Sequence, residues 1–293
     1  MYICINGRVL KEEEAKISPF DHGFMYGLGV FETFRVYNGH PFLFDDHFDR
    51  LQSSLAALNI KLNVNKASVL HDINELLKVN QLKDAYVRLN VSAGDNAVGL
   101  TVEKYENPNV IIYMKPIGQP AQVEKNAVIL QIRRNTPEGP LRLKSHHYLN
   151  NILAKREVGP DPSVEGIFLT DQGHVAEGIV SNVFWVKDGK VFTPSLSTGI
   201  LNGITRQFII ELLAFLNIKV EVGHFTKEHL LDCDEAFVTN SIQEVVPVKK
   251  LEGKSLPGAA GEITDKLHSY YVIQRNRLWS RKNIQVSEVE VDK

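Results

Sequence analysis

A lysine near the middle of the chain, Lys144, has the local sequence of a chemically useful amine. A lysine acts as a nucleophile or a base only after losing its proton, and burial among apolar groups promotes this by lowering its pKa. Leu141-Arg142-Leu143 leads directly into Lys144, and we expect the two leucines to help bury the amine. On this segment alone, an ordinary surface lysine is the better interpretation.

A second group of residues has the chemistry of an anion site. Arg50 carries a guanidinium that can hold an oxyanion by two parallel hydrogen bonds. Gly203-Ile204-Thr205 opens the helix TRQFIIELL, whose free N–H groups favour an anion, and Thr205 is a candidate both for the N-cap and for an anion ligand. Ser241 adds a hydroxyl. In isolation, Gly-Ile-Thr before a helix is simply a good cap.

Several widespread catalytic motifs are missing from the sequence. It has no Gly-rich phosphate loop followed by Lys-Ser/Thr, no HExxH zinc pair and no GxSxG nucleophile motif. The glycines of GFMYGLGV (23–30) do not match the dinucleotide fingerprint, because Glu32 stands where its third glycine belongs. His146 and His147 are adjacent, and neighbours in a regular element cannot face one ion, so we expect no metal site.

The hydrophobic patterns predict the strands and helices that must position these side chains. ICINGRVL (3–10) predicts a hairpin at Asn6-Gly7, and GVFETFRVYNGHPFLF (29–44) predicts two strands that turn at Asn38-Gly39. Phe48, Leu51, Leu55 and Leu58 share one face of a helix. Further helices are expected near 66–79 and over 205–218, and strands near 85–93, 109–115, 127–133, 166–170, 180–193 (a hairpin at 187–190) and 235–241.

These elements do not alternate regularly between strand and helix, which favours two α+β domains over one doubly wound sheet. The proline-marked segment KPIGQPAQVEKN (115–126) is the expected linker. We therefore predict a small N-terminal domain over 1–118 and a larger C-terminal domain over 119–293. The polar end WSRKNIQVSEVEVDK (279–293) predicts a frayed tail.

The composition excludes several classes of protein. Among 293 residues the formal net charge is −2, with acids and bases interspersed, so nucleic acid is not the expected partner. No apolar run approaches the roughly 18 residues of a membrane span, and the N-terminus does not resemble a signal peptide. Only two cysteines, Cys4 and Cys233, are present, so we expect a cytoplasmic protein without a disulfide framework.

Four segments carry a resemblance to a known family: HFDR (47–50), RLKSHHYLNN (142–151), AEGIVSNVFW (176–185) and ILNGITRQ (200–207), with TNS (239–241) as a weaker fifth. Together they resemble the fold-type IV enzymes that use pyridoxal 5′-phosphate (PLP), a family of branched-chain and D-amino-acid aminotransferases and 4-amino-4-deoxychorismate lyases. The resemblance runs from INGR (5–8) to EVVPV (244–248), in the family's order and at similar separations. It implies a two-domain, D-amino-acid aminotransferase-like fold with a small N-terminal α/β domain.

The resemblance also implies roles for individual residues. Lys144 would carry the cofactor through its aldehyde, Glu177 would keep the pyridine nitrogen protonated, and Tyr148 would hydrogen-bond the phenolic oxygen. The implied ligands of the cofactor phosphate are Arg50, Ile204, Thr205 and Ser241. Without the resemblance, Glu177 would be interpreted as a solvated turn residue and Tyr148 as a core aromatic.

Within the family, SPFDHGFMYGLGVFETFR (18–35) and IRRNTPEGPLRLKSHHYLNN (132–151) are most similar to the bacterial lyases, which make 4-aminobenzoate and pyruvate on the route to folate. The alternative is a D-amino-acid or branched-chain aminotransferase. NVSAGDNA (90–97) lacks the arginine of the D-amino-acid enzymes, whereas Tyr86-Val87-Arg88 matches the branched-chain enzymes.

The lyase interpretation gives Lys144 the role of base and makes Thr33 a candidate proton donor, although Thr33 could equally be a residue that fills a strand. Arg88 and Arg142 are candidates for binding the two substrate carboxylates, and a salt bridge at a strand end is the alternative for Arg88. The family implies a homodimer. A hypothesis of another class is a cofactor-free binding protein on the same scaffold.

Overall fold

The computed structural model describes residues 1–118 and 123–284 of the chain. Two β-sheets organise these residues, one of six strands and one of nine. Helices pack against the sheets, so the α+β fold class expected from the sequence is confirmed.

The first sheet is antiparallel throughout. Its strands are β1 (Tyr2–Ile5), β2 (Arg8–Lys11), β3 (Gly29–Tyr37), β4 (His40–Pro41), β5 (Ala85–Ser92) and β6 (Asn109–Pro116), in the spatial order β2-β1-β6-β5-β3-β4. Both turn residues of the hairpins at Asn6-Gly7 and Asn38-Gly39 have positive φ, as type I′ turns require, and both predicted hairpins are confirmed. The strand β4 has only two residues because a helix begins at Phe44.

Three helices accompany this sheet: α1 (His22–Tyr26), α2 (Phe44–Ala57) and α3 (Lys66–Val79). Helix α2 buries Phe48, Leu51 and Leu55 in the core of the first sheet, as predicted, whereas Leu58 follows the helix as its C-cap. Helix α3 has the predicted bounds and packs on the same core.

The second sheet mixes parallel and antiparallel pairs. Its strands are β7 (Lys125–Ile129), β8 (Val164–Leu169), β9 (Val175–Gly178), β10 (Asn182–Lys187), β11 (Lys190–Pro194), β12 (Val220–Gly223), β13 (Glu235–Asn240), β14 (Glu244–Leu251) and β15 (Lys254–Ser255). The spatial order is β12-β11-β10-β13-β14-β7-β8-β9, and β15 pairs with β14. The predicted hairpin at 187–190 joins β10 to β11, which confirms it.

The remaining helices are α4 (Leu149–Val158), α5 (Ile204–Phe215), α6 (Lys227–Leu231) and α7 (Glu262–Gln274). Helices α5 and α7 bury Phe208 and Tyr271 against the second sheet. Tyr37, Phe42 and Leu43 join the same core from the N-terminal part of the chain. The two sheets are therefore connected by shared apolar packing as well as by the chain itself.

The connection between the sheets is shorter than the linker predicted over 115–126, because β6 continues to Pro116 and β7 begins at Lys125. Residues 119–122 lie outside the described residues, and the domain boundary at 118 stays a prediction. No helix in the ranges 1–118 and 123–284 is both long and apolar enough to cross a membrane.

The C-terminal segment is anchored further than expected. The Trp279 ring lies edge-on to His40 with 4.7 Å between centroids, and the Arg281 backbone N–H donates to Asp46 Oδ2 at 2.7 Å. The prediction of a frayed tail is therefore wrong for 279–284, because side chains of the first half of the chain bind this segment. The rest of the predicted tail, 285–293, lies outside the described residues.

Candidate active site

A cavity of about 450 Å³ lies between the two sheets, a size typical of small-molecule sites. Its walls come from β3 and β5 on one side, and from β9, the start of α5 and the loop after β13 on the other. The structure brings together all ten residues singled out from the sequence, which line this one cavity: Thr33, Arg50, Arg88, Arg142, Lys144, Tyr148, Glu177, Ile204, Thr205 and Ser241.

The backbone around Lys144 is tied to strand β3. The Phe31 N–H donates to the Lys144 carbonyl at 2.9 Å, and the His146 N–H donates to the Gly29 carbonyl at 3.0 Å. A Cβ at Gly29 would lie 2.3 Å from the His146 ring, so this close approach requires a glycine. The strand thus sets where the lysine enters the cavity.

The Lys144 amine faces aromatic rings. Its Nζ lies 4.4 Å from the ring centroid of Phe31 and 6.0 Å from that of Tyr148. Burial, followed by the charge of Arg50, lowers the pKa of Lys144 to about 8, so part of the amine is unprotonated near neutral pH. A lowered pKa was expected from burial by Leu141 and Leu143. The expected contribution of Leu141 is wrong, because this side chain is 58% exposed.

Glu177 lies in β9 and is buried in the cavity wall. Its Oε2 accepts hydrogen bonds from the Leu201 N–H at 3.0 Å and from Asn182 Nδ2 at 3.4 Å. Its Oε1 accepts from Arg134 Nε at 2.9 Å and lies 3.8 Å from Arg142 Nε. The interpretation of Glu177 as a solvated turn residue is therefore wrong, and the carboxylate has a fixed orientation.

Arg134 is a site residue that the sequence analysis missed. It is buried, donates to Glu177, and donates through Nη1 to Asn150 Oδ1 at 2.6 Å. Its guanidinium lies 5.1 Å from the ring centroid of Phe168. No local pattern marks it, because its main partner is 43 residues away in the sequence.

The first turn of α5 opens into the cavity. Gly203, not Thr205, is the N-cap, and Thr205 is the second helical residue, so the predicted capping role of Thr205 is wrong. A Cβ at position 203 would lie 2.1 Å from Asn182 Oδ1, which leaves room only for glycine as the cap. The N–H groups of Ile204 and Thr205 have no partner within the helix, and both residues line the cavity.

The Arg50 guanidinium is already hydrogen-bonded to other groups of the protein. Its Nε and Nη2 donate to Oε1 and Oε2 of Glu32 at 2.8 and 2.6 Å, and its Nη1 donates to the Asn202 carbonyl at 2.8 Å. These bonds use three of the five N–H groups of a guanidinium, and the Nη1–Nη2 edge keeps one on each nitrogen. A bidentate contact of Arg50 is therefore made with Glu32, a residue that the sequence analysis did not assign to the site.

Ser241 and Thr205 face each other across the cavity floor, with 3.2 Å between their hydroxyl oxygens. Ser241 Oγ also lies 3.4 Å from His47 Nε2, and His47 Nδ1 lies 2.6 Å from Glu32 Oε2. Glu32 thus connects to two predicted phosphate ligands, directly to Arg50 and through His47 to Ser241.

Thr33 and Arg88 are cross-strand neighbours in β3 and β5. The Arg88 guanidinium lies 3.5 Å from the Phe31 ring centroid, and its Nη2 donates to Asn90 Oδ1 at 3.4 Å. Both Thr33 and Arg88 line the cavity, and their substrate roles stay predictions.

Arg142 is more heavily engaged than Arg88. Its Nε donates to the Gly199 carbonyl, its Nη1 donates to Asn135 Oδ1 at 3.2 Å, and its Nη2 donates to the Asn135 carbonyl. Burial, followed by the charge of Arg134, lowers the pKa of Arg142 to about 10. A substrate role for Arg142 stays a prediction, but its position favours a supporting contact to Glu177.

Tyr148 lies edge-on to Phe31, with 5.5 Å between ring centroids. Burial, followed by the Glu177 charge, raises the pKa of Tyr148, so its hydroxyl keeps its proton at neutral pH. A neutral phenol in the cavity wall can donate a hydrogen bond, which is compatible with the role that the resemblance implies.

The cavity offers what a flat cofactor with an aldehyde, a ring nitrogen and a phosphate requires. Lys144 supplies an amine of lowered pKa, Glu177 supplies an oriented carboxylate, and the start of α5 with Arg50 and Ser241 supplies donors for an anion. Within the described residues, no group of three or more His, Cys, Asp or Glu side chains is arranged to hold a metal ion.

Comparisons with known proteins agree on one family. A family model described as amino-transferase class IV matches residues 29–251. The chain is 51% identical to an aminodeoxychorismate lyase of Bacillus subtilis over 274 residues, covering 92% of this chain and 93% of that protein. A crystal structure of 4-amino-4-deoxychorismate lyase from Pseudomonas aeruginosa superposes with a TM-score of 0.81 at 25% identity, covering 94% and 99% of the two chains.

An aminotransferase is also structurally similar. The branched-chain amino acid aminotransferase of T.th., complexed with N-(5′-phosphopyridoxyl)-L-glutamate, superposes with a TM-score of 0.84 at 26% identity, covering 94% of each chain. The fold is therefore common to lyases and aminotransferases, and the residues of the cavity must distinguish the two reactions.

Proposed function

Because the chain belongs to the class IV aminotransferase family, we propose that it is a PLP-dependent lyase that converts 4-amino-4-deoxychorismate to 4-aminobenzoate and pyruvate. The observation that carries this proposal is the 51% identity to the Bacillus subtilis lyase over nearly the whole chain. The cavity supports it, because a lysine of lowered pKa and an oriented buried carboxylate line the same space.

The chain has a residue for each part of the cofactor. Lys144 would carry PLP, Glu177 would hold the ring nitrogen in its protonated form, and Tyr148 would donate to the phenolic oxygen. The phosphate would be bound by Arg50, Ile204, Thr205 and Ser241. When bound, PLP withdraws electrons from the amine-bearing carbon of the substrate.

The residues on the substrate side remove a proton, donate a proton and bind a carboxylate of the substrate. The free amine of Lys144 takes the proton from the amine-bearing ring carbon. The Thr33 hydroxyl gives a proton to the ether oxygen as its bond to the neighbouring ring carbon breaks. The group leaves as enolpyruvate, which tautomerises to pyruvate by moving its hydroxyl proton to the methylene carbon, and the ring becomes 4-aminobenzoate. Arg88 binds a substrate carboxylate through the part of its guanidinium that Asn90 leaves open.

An aminotransferase remains the second candidate, and one observation favours it. Tyr86 and Arg88 line the cavity at the positions where the branched-chain enzymes have a Tyr-x-Arg. An aminotransferase must bind an amino acid and a keto acid in turn, whereas the lyase needs one substrate and no amino acceptor.

We further propose that the enzyme acts in folate biosynthesis in the cytoplasm and functions as a homodimer. Support for the dimer comes from exposed apolar side chains on helix α1 and on the loop between β5 and β6: Phe24 is 71% exposed, and Leu100 and Val102 are 91% and 97% exposed. The Gly99 N–H donates to Tyr26 Oη at 2.9 Å, which joins this loop to α1. A second copy would cover these side chains, and light scattering of the purified protein measures the resulting mass.

A product assay tests the proposed reaction. The PLP-loaded protein is incubated with 4-amino-4-deoxychorismate alone, and 4-aminobenzoate and pyruvate are quantified. A parallel reaction contains alanine and 2-oxoglutarate, and glutamate is quantified. We expect equimolar 4-aminobenzoate and pyruvate without a keto acid. Glutamate formation with no 4-aminobenzoate would instead establish the aminotransferase.

A further inference from the structure

His47 occupies a position between two parts of the anion site. On one side, its Nδ1 lies 2.6 Å from Glu32 Oε2, and the same carboxylate binds Arg50. On the other side, its Nε2 faces Ser241 Oγ at 3.4 Å. His47 and Glu32 are both buried, at 2% and 1% exposure, so water does not replace these contacts.

The charge of Glu32 fixes one end of this arrangement. Burial raises the pKa of Glu32, but the charge of Arg50 and the hydrogen bonds from Arg50 and His47 outweigh this and lower it to about 2. An ionised carboxylate only accepts hydrogen bonds, so His47 Nδ1 must carry a proton. The second ring nitrogen, Nε2, is then a bare acceptor in the neutral ring and a donor in the charged ring.

The state of Nε2 determines where the hydroxyl protons point. Next to a neutral ring, Ser241 donates to His47 and accepts from Thr205, so both hydroxyls turn their protons away from a ligand and their lone pairs towards it. Next to a charged ring, His47 donates to Ser241, and both hydroxyl protons become available to an anion. Each hydroxyl has one proton, so the two arrangements exclude each other.

We propose that His47 is a positioning residue of the anion site, and that binding of a phosphoryl dianion is coupled to uptake of one proton at His47 Nε2, which turns the Ser241 and Thr205 hydroxyls towards the anion. This inference rests on the proposed function, because it assigns the cofactor phosphate to these hydroxyls. Arg50 alone would bind an anion at any pH, whereas His47 makes the affinity depend on pH.

Several other groups affect the charge of His47. Glu32 on β3 favours the charged ring and Arg50 on α2 opposes it, while Asp46 on α2 favours it but is itself paired with Arg281 of the C-terminal segment. On the far side of Thr205, Tyr271 of α7 stays neutral because burial raises its pKa.

The net effect is a lowered pKa for His47, because burial outweighs the opposing effect of the Glu32 carboxylate. The ring is therefore largely neutral at neutral pH before an anion binds. A dianion at the site adds the negative charge that favours the protonated ring.

The test uses the full-length chain with ring-¹⁵N-labelled histidine and no added cofactor. Sulfate is the probe, because this tetrahedral dianion does not titrate between about pH 5.5 and 8, and chloride holds the ionic strength constant. His47→Asn identifies the His47 resonance and keeps an N–H donor towards Glu32. We expect sulfate to convert His47 Nε2 from a bare nitrogen to N–H, with a midpoint raised by about one pH unit or more.

The affinity provides the second readout. By linkage, the sulfate dissociation constant should rise about tenfold per pH unit across the window between the free and bound midpoints of His47. In His47→Asn the pH dependence should disappear. In Ser241→Ala the pH dependence of the sulfate affinity should become much weaker, because His47 no longer contacts the Ser241 hydroxyl. If His47 had a purely structural or long-range electrostatic role, this substitution would leave the pH dependence unchanged.

The possible failures are distinguishable. A His47 ring that stays neutral in saturating sulfate, an unchanged pH dependence in His47→Asn, or the absence of sulfate binding would each overturn the inference. A fourth arm adds PLP and measures absorbance of the bound cofactor in the visible range. Coupled sulfate binding without PLP uptake would refute the proposed function alone, and PLP uptake with a neutral His47 would refute the inference alone.

Discussion

The two central side chains of the cavity differ in the kind of group that surrounds them. Lys144 Nζ is buried beside the rings of Phe31 and Tyr148, and this burial, the largest cause of its lowered pKa, favours the uncharged amine. The Glu177 carboxylate accepts hydrogen bonds from Arg134, Asn182 and a backbone N–H, which stabilise an anion. The same cavity therefore contains a base that loses its proton easily and a carboxylate of fixed direction.

Replacing Glu177 by glutamine separates cofactor binding from catalysis. Glu177→Gln should still bind PLP, because the residues proposed to bind the phosphate and the aldehyde are unchanged. Turnover should fall by about 10²-fold or more, since an amide cannot hold the ring nitrogen protonated and one electrostatic contact is lost. Absorbance of the bound cofactor and the rate of 4-aminobenzoate formation measure the two effects.

The matched control is Glu13→Gln, an equivalent change at an exposed carboxylate that does not line the cavity, which should leave both quantities unchanged. Normal turnover in Glu177→Gln would refute the role of this carboxylate. The buried Arg134 also loses its charged partner in this variant, so a lower melting temperature is expected as well.

Burial of Lys144 gives protein stability a defined pH dependence. The pKa of Lys144 falls from 10.5 to about 8 on folding, so between these values the unfolded chain binds more protons and stability rises with pH. Below a pH of about 8 the folded protein carries the unfavourable buried charge. In the cofactor-free protein, Lys144→Met should therefore raise the free energy of unfolding near neutral pH, and this gain should shrink as the pH approaches the unfolded pKa.

Urea denaturation of both proteins at about pH 7, 8.5 and 9.5 measures this difference. Lys16→Met, which removes an exposed lysine, corrects for the change in net charge. A stability difference that stays constant over this range would contradict the lowered pKa of Lys144.

At the scale of elements, strand β3 and the first turn of α5 position most of the cavity groups discussed above. Alternate residues of β3 point in opposite directions, so Phe31 and Thr33 line the cavity while Glu32 contacts Arg50 on α2. Helix α5 brings its free N–H groups to the opposite wall only because Gly203 fits beside Asn182.

Gly203→Ala tests this contact. The added Cβ would lie 2.1 Å from Asn182 Oδ1, so the start of α5 must shift or Asn182 must give up its contact with Leu201. We expect a loss of about 1–3 kcal/mol in the free energy of unfolding. The affinity for PLP should fall more than that for pyridoxal, which lacks the phosphate.

Gly139→Ala is the control, because a Cβ there meets open space. It should leave stability and both affinities nearly unchanged. An equal loss of PLP and pyridoxal affinity in Gly203→Ala would argue against phosphate binding at this helix end.

The sequence predicted the elements whose pattern is local. The Asn-Gly hairpins and the apolar face of α2 are confirmed because turn chemistry and periodicity act over a few residues. Helix α4 could not be predicted in this way, since it buries Asn151 and Ala154 while Leu149 and Ile152 are exposed. Its burial pattern is the reverse of an ordinary amphipathic helix.

The residues of the site likewise divide into those that the local sequence identifies and those that only tertiary contacts identify. Lys144, Glu177 and Arg50 were found through segments that resemble the family, whereas Glu32 and Arg134 were not. Glu32 bonds across 18 residues and Arg134 across 43, so tertiary contact alone identifies them as parts of the site. For the same reason, the engagement of Arg50 by Glu32 was not predictable from either residue.

At the scale of the whole molecule, the two sheets share a core and a polar link. Tyr37 ends β3 in the first sheet, and its Oη donates at 2.7 Å to Glu244, which begins β14 in the second. Arg275 of the C-terminal region donates to the same carboxylate. These contacts adjoin the loop after β13 that carries Ser241, so the packing of the sheets and the shape of the cavity depend on each other.

Tyr37→Phe removes the polar link and leaves the ring. We expect a loss of about 1–3 kcal/mol in the free energy of unfolding, because a buried carboxylate loses one of its donors. Tyr113→Phe, at a 40% exposed position in β6, should change it by less than about 0.5 kcal/mol. Equal effects of the two substitutions in urea denaturation would contradict the importance of this contact.

Reductive trapping of the holoenzyme tests most directly that Lys144 carries the cofactor. The PLP-loaded protein is treated with borohydride and digested, and mass spectrometry locates the added pyridoxyl group. We predict a single modified lysine, Lys144, and no modification together with no turnover in Lys144→Ala assayed without added amines. A pyridoxyl group on another lysine, or full activity of Lys144→Ala, would contradict the account.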